Sequence, residues 1–316
     1  MVPALLFYGV HLMRHFLTII DHDAATLRQL LTEAARLKAA VARGDFAATL
    51  KNRVVSLVFE KPSLRTRVSF EAGVAQLGGV SLFQAGGEVG LGVRESLADF
   101  ARTMSQYVNC IVLRVFKQAT VEGVAQWSSV PVINGLSDTS HPCQAMADLL
   151  TVQECFGEVA GKTIAFVGDG NNVARSLAIG CGKLGARFIL SCPPGYGFPS
   201  GFDAKYAKGV GPKLPDEIRD PAEAVRTADI IYTDVWTSMG QEAERAERLR
   251  QFAPYQVNGA LLKKAPKHVR VLHCLPAHRG EEISDDVIEG PASAIFAQAG
   301  NRMHAQKAVL EWLIGH

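Results

Sequence analysis

The sequence lacks any excess of charge of one sign. Thirty-three Lys and Arg stand against 31 Asp and Glu in 316 residues, a formal net charge of +2. That balance removes the electrostatic basis for nucleic acid or an anionic membrane as partner. Any anion site must then be local, built from a few placed arginines. Paired cysteine motifs are also missing. Cys110, Cys143, Cys155, Cys181, Cys192 and Cys274 include no C-x-x-C spacing, and a chain this long needs no disulfide framework. Free thiols in a reducing cytoplasm are the expectation. No apolar stretch approaches the roughly 18 residues of a membrane helix. The apolar opening over 1–13 has neither a basic leader region nor an A-x-A cleavage site, so it reads as neither signal peptide nor anchor. Residues 1–12 are expected to be an extension ahead of Met13. Repeats and low-complexity segments are absent as well.

What is present is ordinary globular usage, with 48% hydrophobic and 20% charged residues, enough for about two domains of roughly 150 residues each. Apolar residues at period 3.6 predict a helix from about 21 to 44, starting its stripe at Leu27, Leu30 and Leu31. Short β-branched runs predict strands over 54–59, 110–115, 131–134, 163–167, 188–190, 229–232 and 270–272. Helical patterns lie between most of them, over 67–77, 95–107, 142–156, 173–184, 221–226 and 240–251. Such alternation means βαβ units, and continuously apolar strands mean parallel sheets covered on both faces. The expectation is α/β, with two doubly wound parallel-sheet, Rossmann-like domains joined by helices, 1–150 and 151–316. A final helix near 301–314 is expected to return across to the first domain. The Pro/Gly-rich stretch 192–211 reads as a surface loop.

Ligands of open parallel sheets bind beyond the carboxyl ends of strands, so each strand's exit is informative. The first leaves through Ser63-Leu64-Arg65-Thr66-Arg67 into a helix. Hydroxyls and guanidiniums at a helix N-terminus suit a phosphate, although a capped helix with solvated arginines has the same letters. Arg114 closes the next strand. His141-Pro142-Cys143-Gln144 opens another helix, where the positive terminus disfavours a protonated imidazole. Gly168-Asp169-Gly170-Asn171-Asn172-Val173 nearly spells a dinucleotide turn, but Val173 occupies the third glycine position. The next strand ends in Leu190-Ser191-Cys192, without an acid for a ribose. No cofactor and no metal are expected. Asp234, beyond the 229–232 strand, suits an ammonium group. His273 is the chain neighbour of Cys274, yet alternation on a strand argues against that histidine activating the thiol.

Taken together, Ser63-x-Arg65-Thr66-Arg67, Arg114 and His141-Pro142-x-Gln144 resemble the carbamoyl-phosphate half of the aspartate and ornithine carbamoyltransferase family. Asn172, Asp234-x-x-x-Ser238-Met239-Gly240 and His273-Cys274-Leu275-Pro276 resemble its ornithine signatures. The resemblance implies transfer of a carbamoyl group from carbamoyl phosphate to L-ornithine, by attack of the neutral δ-amine. It implies a carbamoyl-phosphate site from Ser63, Leu64, Arg65, Thr66, Arg67, Arg114, His141, Gln144, Cys274, Leu275 and Arg302. Asn172, Asp234, Ser238 and Met239 are implied to bind ornithine, with Arg114, His141, Asp234 and Cys274 catalytic. It further implies a homotrimer or a multiple of trimers. Three departures stand out. Gly90 replaces a loop glutamine of the family, for which Arg94 is a candidate substitute. Leu64 replaces a threonine, and Gly300 a glutamate preceding Asn301-Arg302.

Overall fold

The computed structural model describes residues 14–46, 48–237 and 240–315. The extension expected over 1–12 and the candidate ligands Ser238 and Met239 lie outside the described residues. The first half runs α1 (Ala24–Ala42), β1 (Val54–Phe59), α2 (Leu64–Gln76), β2 (Val80–Ala85), α3 (Gly86–Val89), α4 (Leu97–Met104), β3 (Cys110–Arg114), α5 (Gln118–Trp127) and β4 (Val132–Leu136). Its strands form a parallel sheet in the order β2-β1-β3-β4. After α6 (Pro142–Phe156) come β5 (Thr163–Val167), α7 (Asn172–Leu184), β6 (Arg187–Ser191), α8 (Phe202–Gly209), β7 (Asp216–Glu217) and α9 (Pro221–Ala224). They are followed by β8 (Ile230–Thr233), α10 (Arg245–Phe252), α11 (Gly259–Leu262), β9 (Arg270–His273), α12 (Asp285–Ile288) and α13 (Ile295–Ile314). The second sheet is parallel too, ordered β7-β6-β5-β8-β9.

Alternation along the strands builds the layers. In β1, Val55, Leu57 and Phe59 face a core shared with α1, α2, α6 and α13, while Val58 faces α4 and α5. In the second sheet Ile164, Phe166, Ile230 and Tyr232 join that same first core, whereas Ala165, Val167 and Ile231 close over α10. One apolar cluster therefore runs from the first sheet through the helix layer to the second. The layer needs close approaches. A Cβ on Gly180 of α7 would come within 2.7 Å of Leu149 Cδ1 on α6.

Several boundaries differ from the sequence expectations. Between 192 and 211 the chain is not simply a surface loop, because α8 buries Phe202 against Phe198 and Tyr206 against Gly182 of α7. α13 starts at Ile295 rather than near Asn301. α4 stops at Met104 and starts where Ser96 accepts the Asp99 N–H. β2 leaves no trace in the apolar pattern because it is an edge strand with Val80 and Leu82 exposed. Among the described residues no helix is long and apolar enough to cross a membrane.

Candidate active site

Each sheet has one place where the strand order reverses, between β1 and β3 in the first and between β5 and β8 in the second. Ligand crevices form at the carboxyl ends of such strand pairs. The exits of β1, β3, β5 and β8, together with those of β4 and β9, line one cavity of about 410 Å³. Both halves of the chain contribute to it. A larger cleft of about 1140 Å³ adjoins it and shares Lys61 and Asn172 with it.

On the first side, Ser63 is the N-cap of α2, accepting the Thr66 N–H at 3.3 Å. Thr66 is fully buried, and its Oγ1 accepts from Ser63 Oγ at 3.0 Å, Arg302 Nη2 at 2.8 Å and Arg114 Nη1 at 3.4 Å. With its lone pairs taken, the hydroxyl has only its own proton left to offer. Arg302 arrives from α13, so the helix that returns across the molecule supplies a site cation. Burial, reinforced by the neighbouring Arg302 charge, pushes Arg114 down to about 10; burial also lowers Arg302. Neither guanidinium meets a carboxylate among the described residues, and the Nε of each lacks a partner. Two desolvated cations without an anion are costly, and a small bound anion relieves both at once.

Beside them, Pro142 opens α6 and His141 stands just ahead of it, its backbone N–H donated to Ser176 Oγ at 2.9 Å. Burial, then the charges of Arg302 and Arg114, hold the His141 imidazole well below its ordinary value, so it is neutral near pH 7. Its Nδ1 has no partner. Gln144, which lines the cavity, donates Nε2 to Asp148 Oδ1 at 2.8 Å, which leaves its buried Oε1 without a partner. Two cations, a neutral imidazole and an amide acceptor thus border one cavity, a set of groups that suits a small anion carrying a carbonyl.

The second side is organised around Asp234, beyond β8. Its Oδ1 accepts from Cys274 Sγ at 2.9 Å and from the Val235 N–H at 2.8 Å, and its Oδ2 accepts from Asn171 Nδ2 at 2.9 Å. Burial and then the Asp234 charge raise the Cys274 thiol well above its ordinary range, so it stays a thiol and a donor. His273 does not activate it. The imidazole accepts the Leu275 N–H at Nδ1 at 2.8 Å, so its proton sits on Nε2 and is donated to Glu282 Oε1 at 3.1 Å. Asp234, His273 and Cys274 bring possible metal-ligand atoms within 4.8 Å of one another; Asp234 and His273 Nδ1 already accept from the protein's own donors, and Cys274 is itself a protonated donor to Asp234. Leu275 holds φ at +57°, a backbone conformation that L side chains rarely adopt and that clusters at functional sites.

Not every expected residue meets the cavity. Arg67 turns away, donating to Glu71 at 2.9 Å and stacking 3.8 Å over Phe83, while Arg65 and Leu64 do line it. Arg94 donates to the Glu88 carbonyl at 3.3 Å and is not on the wall. Gly90 holds φ at +64°, and a Cβ there would meet Arg94 Cβ at 2.9 Å. Gly300 has open space around it, and Arg302 reaches Thr66 Oγ1 without a glutamate before it. Asn172 lines the cavity and donates to the Ser137 carbonyl at 2.7 Å, whereas its neighbour Asn171 is the residue that holds Asp234. Sequence reasoning misses Asn171, although its N-cap position, accepting the Val173 and Ala174 N–H groups, is a readable signal. It misses Lys61 as well, whose amine lies 4.7 Å over the Phe116 ring on the cavity rim. The dinucleotide-like turn approaches the protein itself, since a Cβ on Gly170 would meet Gly197 at 2.6 Å and Asp169 is tied to Arg248 at 2.6 Å.

Both halves of the chain match known proteins. The carbamoyl-P binding domain model of the aspartate/ornithine carbamoyltransferases matches residues 14–154, and their Asp/Orn binding domain model matches 160–313. The ornithine carbamoyltransferase of Archaeoglobus fulgidus is 48% identical over 303 residues, which cover 96% of this chain and 98% of that protein. The Bacillus subtilis enzyme of the same name is 48% identical over 306 residues, covering 95% and 94%. Among solved structures, the ornithine carbamoyltransferase of Pyrococcus furiosus superimposes with a TM-score of 0.92 at 45% identity, covering 96% and 97%.

Proposed function

The chain belongs to the aspartate/ornithine carbamoyltransferase family, and from that premise we propose that it converts carbamoyl phosphate and L-ornithine to L-citrulline and phosphate. We assign carbamoyl phosphate to residues 1–150 with the returning α13, and ornithine to residues 151–316. The observation that carries the reading is the pair of uncompensated buried guanidiniums, Arg114 and Arg302, beside neutral His141 and the free Gln144 Oε1.

In this reading phosphate lies against the α2 N-terminus, Ser63, Arg65, Arg114 and Arg302. Thr66, Arg114 and His141 donate to the carbamoyl oxygen, and Gln144 Oε1 accepts from the carbamoyl nitrogen. Ornithine enters with its amino-acid end towards Asn172 and Asp234, and Ser238 and Met239 are assigned to the same end by family resemblance. The neutral δ-amine attacks the carbamoyl carbon, forming a C–N bond and an oxyanion. The oxyanion collapses, the C–O bond to phosphate breaks, and the nitrogen's surplus proton leaves with the phosphate. Cys274 and Asp234 border the attacking nitrogen. Donors fixed before the charge develops supply the acceleration, together with positioning.

Six free cysteines support a reducing, cytoplasmic setting. Exposed apolar side chains on the first sheet's edge and α2, including Leu64, Val68, Val80 and Leu82, support the homotrimer. The pathway is arginine metabolism, in either direction of flux. An acceptor panel tests the reading: with carbamoyl phosphate, L-ornithine should be carbamoylated far faster than putrescine or N-acetylornithine. Preference for either of those would assign the chain to a sister transferase instead.

A further inference from the structure

One fully buried carboxylate beside the cavity has no part in the chemistry above. Asp148 lies one turn beyond Gln144 on α6, and its Oδ1 accepts from Gln144 Nε2 at 2.8 Å and from Gln298 Nε2 at 2.6 Å. Gln298, on α13, also donates to Tyr232 Oη at 3.1 Å, and its Oε1 accepts the His273 backbone N–H at 2.9 Å. All five side chains are fully buried. A glutamine amide has two orientations of nearly equal shape that offer opposite groups. An acceptor at one end decides between them. The flipped amide would set carbonyl against carboxylate and put an NH₂ where the unpartnered oxygen now lies, so Asp148 leaves only the orientation that offers Oε1 as the free acceptor of this cavity-lining residue.

We infer that Asp148 is a positioning residue which, by fixing the Gln144 amide, makes the site select an acyl phosphate carrying an N–H group over one carrying a methyl. The inference rests on the carbamoyl-phosphate reading. Acetyl phosphate differs from carbamoyl phosphate by a methyl in place of the amino group. That methyl strands a buried Gln144 oxygen without a donor, whereas the amino group satisfies it, a difference of roughly tenfold or more in affinity. The acceptor rather than the charge does this. Burial pushes the Asp148 carboxyl up to about 7, and a proton on its unpartnered Oδ2 leaves Oδ1 accepting as before.

Dissociation constants of carbamoyl phosphate, acetyl phosphate and inorganic phosphate, measured calorimetrically on the intact protein, test the inference. Wild type should prefer carbamoyl over acetyl phosphate by about tenfold or more. Asp148→Asn keeps an Oδ1 acceptor and should keep the preference within about threefold. Asp148→Leu should lose it, bringing the ratio towards one while inorganic phosphate affinity changes by less than about threefold. If that variant does not fold, Asp148→Ser, too short to reach Gln144, carries the same expectation. A preference that survives in the leucine or serine variant overturns the inference alone. Equal weakening of all three ligands overturns it too, because it signals general damage. Wild type without affinity for any of them contradicts the carbamoyl-phosphate reading itself.

Discussion

His141 shows how burial sets the state of a site residue. Its imidazole is desolvated and flanked by Arg302 and Arg114, so the folded protein refuses a proton that the unfolded chain accepts below about 6.5. The sign follows: the unfolded state binds more protons as pH falls through that value, so His141 costs stability in acid and costs nothing above it. Denaturant unfolding at pH 5 and pH 8 should show a smaller pH difference in His141→Asn than in wild type. In the proposed mechanism the same neutral ring donates to the oxyanion, so His141→Ala should lower kcat by about 10²–10³ in a steady-state assay. Cys274 donates its thiol proton to Asp234, and the proposed ornithine site rests on that contact. Cys274→Ala, which removes that donor, should raise the KM for ornithine at least several-fold while calorimetric affinity for carbamoyl phosphate stays within about threefold. Individual site residues are legible wherever a motif puts them at a strand exit, as with Ser63, Arg114 and Gln144. Arg67 is not, because it sits two residues beyond Arg65 on α2, and such residues point to different sides of a helix. Asn171 is masked by Asn172 because adjacent asparagines at a cap have different tasks, one holding the helix and Asp234, the other facing the cavity.

Among the elements, the α6–α7 contact joins the two sheets. α6 ends the first sheet's chain with His141 and Gln144 at its start, and α7 begins at Asn172. Their separation is set by Gly180, where any Cβ overlaps Leu149. Gly180→Val should destabilise the fold by about 1–3 kcal/mol, a fall of several degrees in Tm by calorimetry. Interior strands such as β1, β3 and β5 are readable from sequence since both faces are covered and the runs are almost wholly apolar. β2 is not, because an edge strand alternates with solvent; α8 is hidden by the prolines and glycines around it. The start of α13 is misleading in the sequence, since Gly300 reads as a helix stop but stands in open space inside the helix.

For the whole molecule, near-zero net charge conceals a concentration of cations at one point. Arg114 and Arg302 come from distant stretches of the chain and meet on one threonine oxygen. The cluster that buries α1, α6, α7 and α13 also fuses both sheets, so the halves are expected to unfold together. Calorimetry should give one transition, and carbamoyl phosphate at about a hundred times its Kd should stabilise that transition by roughly 2.7 kcal/mol through mass action. Simultaneous quantification of citrulline and phosphate, with carbamoyl phosphate and L-ornithine as the only substrates, tests the central claim most directly. The account predicts equal amounts of the two products, formed only when both substrates are present. Phosphate released without citrulline, or no turnover by folded protein, would contradict it.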